Sequence, residues 1–245
     1  MASMNLISTQ KLTKQYGGIL ANSNVDFELP TGQITALIGP NGAGKSTFVG
    51  MLCGRIDATS GEVFFNGENI SHLPAHKRIR LGMAYTFQIT SIFSGLSLFE
   101  NVALAARPNL SKPNNEKQLN DKVYKVLKRV GLDDRAMQIA SDLSYGHQRL
   151  LEIAMGLAQD PELFILDEPT QGLAESEVTS FIELVKSLAG EMTILLIEHN
   201  MDVVMKTADF ITVLNFGEVL ANGSPDEIRN NPHVQEAYLG TSSDA

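Results

Sequence analysis

The chain has 245 residues, enough for one large domain or two small ones. Hydrophobic residues make up 43% and charged residues 19%, which excludes a disordered tail and supplies apolar surface for a sizeable core. The net charge of −9 argues against sequence-independent nucleic-acid binding, whose affinity comes from neutralising phosphates, so no nucleic-acid partner is expected.

Taken from the start, Met1–Lys14 lacks the basic opening and apolar stretch of a secretory signal. Val25, Phe27 and Leu29 alternate with polar residues and predict a half-buried strand, closed by Pro30-Thr31-Gly32. Ile34–Ile38 predicts a buried strand; a glycine-rich loop and a helix over Thr47–Leu52 follow. Cys53 is the single cysteine, expected as a small buried apolar residue, so no intrachain disulfide can form and a reducing cytosol is expected. Glu62–Phe65, the turn Asn66-Gly67 and Ala84–Phe87 add strand signals.

The middle of the chain changes period. Leu119, Val123, Val126, Leu127 and Val130 recur at helical spacing, as do Leu150, Ile153, Ala154 and Leu157 before Pro161. Pro108–Asn115, rich in proline, asparagine and serine, predicts an exposed loop. Strands then return at Leu163–Leu166 and Met192–Ile197, around a helix marked by Val178, Phe181, Ile182, Val185 and Leu188. Ser224-Pro225-Asp226-Glu227 carries a capping box with proline in the first helical position. Strands alternating with helices imply a parallel α/β sheet covered on both faces. No apolar run approaches the ~18–20 residues needed to cross a bilayer, so work at a membrane would go through a partner.

The loop Gly39-Pro40-Asn41-Gly42-Ala43-Gly44-Lys45-Ser46-Thr47 matches G-x-x-x-x-G-K-[ST] between a predicted strand and a predicted helix. Gly39, Asn41, Gly42, Ala43, Gly44 and Thr47 would present backbone N–H groups to phosphate oxygens. Lys45 adds a mobile positive charge, Ser46 can ligate Mg²⁺, and the helix offers its positive end. This is a nucleotide site by sequence.

Leu163–Leu166 ends in Asp167 and Glu168. Alone, this pair could equally end an exposed strand; beside a phosphate loop, Asp167 suits Mg²⁺ support and Glu168 could polarise an attacking water. The stretch from Lys45 to Asp167 exceeds what small GTPases and nucleoside kinases usually hold there, and leaves room for an inserted helical subdomain.

Leu143-Ser144-Tyr145-Gly146-His147-Gln148 resembles the signature loop of ATP-binding cassette (ABC) ATPases, and the resemblance covers essentially the whole chain. It implies an α/β P-loop NTPase fold with a parallel core sheet, an antiparallel β region and an inserted helical subdomain. The implied units are residues 1–88, the first part of a RecA-like core with the antiparallel region; 89–160, the helical subdomain with the signature loop; and 161–245, the rest of the core with a C-terminal helix. Tyr16 then corresponds to an adenine-stacking aromatic, Gln88 to the γ-phosphate and Mg²⁺ sensor, and His199 to the switch histidine. Ser144 and Gly146 would face the ATP of a second ABC ATPase subunit, so that two chains sandwich two ATP molecules. Without those motifs, Tyr16, Gln88 and His199 would be ordinary structural or solvated residues.

Within the superfamily the chain is most similar to the ATPases of branched-chain amino acid importers, through Ala84-Tyr85-Thr86-Phe87-Gln88, Leu98-Phe99-Glu100-Asn101-Val102, Leu196–Asp202 and Glu236-Ala237-Tyr238-Leu239-Gly240. That resemblance implies ATP hydrolysis driving uptake of such solutes through a membrane permease, with a substrate-binding protein in the complete system. The chain would be cytoplasmic and peripheral on the inner face of the membrane. Urea or amide importers and lipopolysaccharide exporters resemble this branch too. A soluble assembly or repair ATPase and a scaffold that barely hydrolyses ATP are the readings from other classes; no long coiled-coil insertion marks the repair type. Three features depart from the family pattern: His147 replaces the signature glutamine, Ala174 ends the D-loop where aspartate or asparagine is usual, and the stretch Pro108–Gln118 is short for an amino acid importer subunit.

Overall fold

The computed structural model describes residues 5–86, 91–110 and 115–239. Its first strands, β1 (Asn5–Tyr16) and β2 (Ile19–Pro30), form an antiparallel hairpin. In β2, Val25, Phe27 and Leu29 are buried while Asp26 and Glu28 are exposed, as the alternation requires. β3 (Ile34–Ile38) is buried at all five positions. α1 (Lys45–Leu52) begins earlier than the expected Thr47, which puts Lys45 and Ser46 in its first turn. β4 (Ser60–Phe65) returns to β1 and folds through Asn66-Gly67 onto the short β5 (Glu68–Asn69). These strands make a four-stranded antiparallel sheet in the order β2-β1-β4-β5.

α2 (Ala75–Arg80) carries a buried arginine, Arg78, which donates to the Met51 and Leu52 carbonyls at 2.8 Å each. A cation therefore sits on the carbonyls where α1 ends, the Met51 carbonyl also accepting the Gly54 N–H. β6 (Met83–Thr86) covers the expected strand as far as Thr86; Phe87 lies outside the described residues. Three helices follow: α3 (Leu98–Ala106), α4 (Glu116–Arg129) and α5 (Tyr145–Leu157). Leu119, Val123, Val126 and Leu127 form the buried stripe of α4 that the helical period predicts. In the expected loop, residues 107–109 form a 3-10 turn and Asn115 caps α4; residues 111–114 lie outside the described residues.

The chain then alternates: β7 (Leu163–Asp167), α6 (Glu175–Leu188), β8 (Thr193–Ile197), α7 (Met201–Thr207) and β9 (Phe210–Asn215). β10 (Glu218–Gly223), α8 (Pro225–Arg229) and α9 (Pro232–Leu239) complete it. The expected capping box of Ser224 and Glu227 forms at α8, with Pro225 inside the helix start. The second sheet runs β10-β9-β3-β8-β7-β6, parallel except for the β9–β10 hairpin.

Successive side chains on a strand point to opposite faces, and the core divides accordingly. Phe164, Leu166, Ile194 and Leu196 meet the helical layer through Leu98, Val102, Leu127, Leu151 and Phe181. Leu163, Ile165, Leu195 and Ile197 meet Phe48 of α1 and the antiparallel sheet at Leu6, Leu12 and Phe27. Ala36 and Ile38 pack with Val204, Val213 and Ile228. The parallel sheet is thus covered on both faces, and the C-terminal ends of β3, β7 and β8 open on one edge. Among the described residues, no helix is long and apolar enough to cross a membrane. Cys53 is buried as expected, and burial pushes its thiol up to about 12.

Candidate nucleotide site

The loop from Gly39 to Gly44 joins β3 to α1. Two of its glycines are required by close approach. A Cβ on Gly39, at φ +153°, would sit 2.2 Å from the Leu214 carbonyl oxygen; one on Gly44, at φ +94°, would sit 2.4 Å from that of Ala21. Asn41, Gly42 and Ser46 are exposed, whereas Ala43 is buried. Gly44 caps α1 without a side-chain acceptor, and no acidic residue occupies the first turn. The first amides of α1 therefore remain suited to an anion. The half-buried Tyr238 on α9 receives a backbone hydrogen bond from Gly39; burial nevertheless pushes its phenol up to about 12.

Lys45 is 8% exposed, and its Nζ donates to the Gly39 carbonyl at 2.6 Å and the Pro40 carbonyl at 3.1 Å. Burial holds its ammonium below the usual lysine value, while the charges of Glu168 and Asp167 pull the other way. Those two carboxylates end β7. Asp167 is buried, and its Oδ2 accepts from the Tyr85 hydroxyl at 2.5 Å. Burial raises Asp167 above the usual carboxylate range, against the lowering effects of that hydrogen bond, Arg55 and Lys45. The same burial, with the Asp167 hydrogen bond, raises the Tyr85 phenol.

Glu168 takes a left-handed backbone, φ +46°, uncommon for a residue with a side chain and concentrated at functional sites. Its N–H donates to the Ile197 carbonyl at 2.9 Å, and its Oε1 lies 3.8 Å from Nδ1 of His199. The structure thus gathers Lys45, Asp167, Glu168 and His199 at one edge of the sheet. Ser46 and Asp167 offer hydroxyl and carboxylate oxygens, a donor set that suits Mg²⁺ with phosphates and water completing its shell. Among the described residues, no cluster of three His, Cys, Asp or Glu forms a metal cage.

Tyr16 ends β1 and is 47% exposed, with the Lys14 ammonium 4.9 Å from its ring centre. The hairpin bearing it touches the phosphate loop where Ala21 and Asn22 pack against Gly44. Gln88 lies outside the described residues.

Ser144 caps α5, and its Oγ lies 2.8 Å from Nδ1 of His147. Gly146 is buried beneath α6: a Cβ there would meet Oε1 of Glu177 at 2.1 Å. Glu177 accepts the Ala174 N–H at 2.9 Å, so the D-loop alanine caps α6 through its backbone alone. Among the described residues, the hydrogen bonds of Ser144 stay within its own segment and do not reach the phosphate loop.

Sequence reasoning missed Glu198. It is fully buried just beyond β8 and accepts from Thr170 and from the amides of His199 and Asn200. A lone charge closing an apolar strand was the only available signal.

A phosphate loop after one parallel strand and a carboxylate pair after another define a P-loop NTPase. Residues 22–171 match the family model for ABC transporters. Residues 218–244 match the model described as a branched-chain amino acid ATP-binding cassette transporter. The high-affinity branched-chain amino acid transport ATP-binding protein LivG of Escherichia coli K12 is 39% identical, over 97% of this chain and 99% of LivG. A solved nucleotide-free ATP-binding cassette from an ABC transporter matches with a TM-score of 0.87 and 28% identity, covering 96% of this chain and 99% of that one. A solved dimeric bacterial ABC transporter cassette matches at 0.80 and 26% identity, covering 89% and 98%. The chain belongs to the ABC transporter family, as an ATP-binding protein of the class that hydrolyses ATP to power transport.

Proposed function

We propose that this chain hydrolyses ATP to energise uptake of branched-chain amino acids or similar small polar solutes through a membrane permease. The observation that carries the reading is the convergence of Lys45, Asp167, Glu168 and His199 on one sheet edge, in a chain whose C-terminal segment matches the branched-chain amino acid cassette model. The same match disfavours a repair ATPase or a lipopolysaccharide exporter.

ATP is the substrate. Lys45 exchanges its two loop carbonyls for β- and γ-phosphate oxygens, and the N–H groups of Gly39, Asn41, Gly42, Ala43, Gly44 and Thr47 cradle the phosphates. Tyr16 stacks on adenine. Mg²⁺, when bound, neutralises phosphate charge, and Ser46, Asp167 and Gln88 would hold it. Glu168 accepts a proton from water, and His199 contacts the γ-phosphate. Ser144 and the amide of Gly146 serve the ATP of a second cassette, in a homodimer or a heterodimer.

Residues 89–160 are proposed to reach the permease. Phe93, Met137 and Ile139 are exposed, and backbone bonds from Ala140 to Leu96 and from Ser141 to Ser94 hold their two segments side by side. The chain would sit on the cytoplasmic face of the membrane, and a substrate-binding protein would deliver the solute. Purification from detergent-solubilised membranes tests the whole reading. The expected result is a polytopic partner and ATP turnover stimulated by leucine, isoleucine or valine; a soluble chain without such a partner would overturn it.

A further inference from the structure

We infer that Glu198 is a positioning residue: it fastens the loop that carries Glu168 to the loop that carries His199. The inference rests on the roles proposed above for those two residues.

Glu198 is 0% exposed, and both its oxygens accept hydrogen bonds. Oε1 takes the Thr170 N–H at 3.0 Å and the Thr170 hydroxyl at 2.6 Å. Oε2 takes the His199 N–H at 3.2 Å and the Asn200 N–H at 3.4 Å. One carboxyl group therefore spans two loops that leave neighbouring parallel strands. Thr170 follows Glu168 by two positions, and His199 adjoins Glu198 itself.

Bonds to a carboxylate are stronger than those between neutral partners, and burial makes each one costly to leave unmade. Glu168 needs such a brace. Its left-handed backbone persists only where the surroundings over-determine it, and the Ile197 carbonyl gives its N–H one more tie to the same neighbour. The gap of 3.8 Å between Glu168 Oε1 and His199 Nδ1 is thus braced from below, through bonds to the two loops that carry them. An error of about 1 Å in such a placement can reduce turnover by roughly a hundredfold.

Glu198→Gln keeps the volume but must turn an NH₂ toward either the Thr170 amide or the amides of His199 and Asn200. The test uses the full chain with Mg·ATP. Steady-state kinetics are read beside hydrogen exchange of the Thr170, His199 and Asn200 amides. E198Q is expected to lower kcat by about tenfold or more, to keep KM within about threefold, and to speed exchange at all three amides. Thr170→Val, which removes one bond, is expected to lower kcat less, and Thr170→Ser to restore it. Adding T170V to E198Q is expected to lower kcat no further. Unchanged kcat in E198Q and T170V overturns the inference, as does a T170S no better than T170V, or a KM that rises in step with the loss. Should E198Q fail to fold, the threonine pair decides. Should the wild-type chain hydrolyse nothing, the function proposed above fails, while exchange still decides the brace: amides equally protected in E198Q would overturn it.

Discussion

Lys45 and Glu168 feel each other's charge, yet they are expected to fail in different ways. The lysine amine is held by two loop carbonyls and can trade them for phosphate oxygens. Lys45→Ala removes charge-assisted bonds worth about 1.5–3 kcal/mol, so ATP affinity is expected to drop roughly ten- to a hundredfold by calorimetry; unchanged affinity would refute the phosphate-loop role. Glu168 Oε1 lies instead 3.8 Å from Nδ1 of His199. Glu168→Gln is expected to bind Mg·ATP as tightly as wild type while turnover falls by about 10²–10⁴, the usual worth of a general base. Turnover within a few-fold of wild type would show that another group moves the proton.

At the scale of elements, α5 and α6 are tied through Glu177. This carboxylate occupies the space a Gly146 side chain would need, and it holds the N–H of the α6 cap, Ala174. Gly146→Ala is expected to displace the carboxylate and forfeit that cap, lowering stability by about 1 kcal/mol in urea unfolding. Glu177→Ala forfeits the same bond, so the double substitution is expected to be little worse than either alone; additive losses would mean that the two contacts act separately. How far elements can be read from sequence follows a related logic. Ile34–Ile38 and Leu163–Asp167 announce themselves because burial on both faces demands an apolar run. β1 does not. Its pairings with β2 and β4 shift register between Thr9 or Gln10 and the residues near Leu12, and Lys11 turns left-handed, which breaks the alternation. The site shows the same divide. Lys45, Ser46, Asp167 and Glu168 stand in compact local motifs, whereas the part Glu198 plays depends on Thr170, distant in sequence and brought within reach by the pairing of β7 with β8.

Over the whole molecule, parallel order is what brings a loop, a carboxylate pair and a histidine to one edge, since β3, β8 and β7 are adjacent and end together. The same burial leaves the sheet carrying a charge it would fold more easily without. Asp167 is buried and raised above the usual carboxylate range, chiefly because burial disfavours its charged form. The sign follows from linkage. A carboxyl group raised in the folded state lends its full stability below its unfolded value, and loses that contribution as pH climbs through the folded one. Ionising Asp167 as pH rises therefore works against the stability of the ligand-free protein. Asp167→Asn removes that charge and can still accept from Tyr85. It is expected to raise Tm without ligand, by an amount that grows as pH rises out of the acid range. The extra rise in Tm that Mg²⁺ gives over ATP alone is expected to vanish with it, because the ion loses its carboxylate. Thermal scans from pH 4 to 8, with and without Mg·ATP, decide the matter. A variant less stable than wild type at pH 7, or one with a full response to Mg²⁺, would show that the strand-end charge is neither a strain on the fold nor a support for the metal.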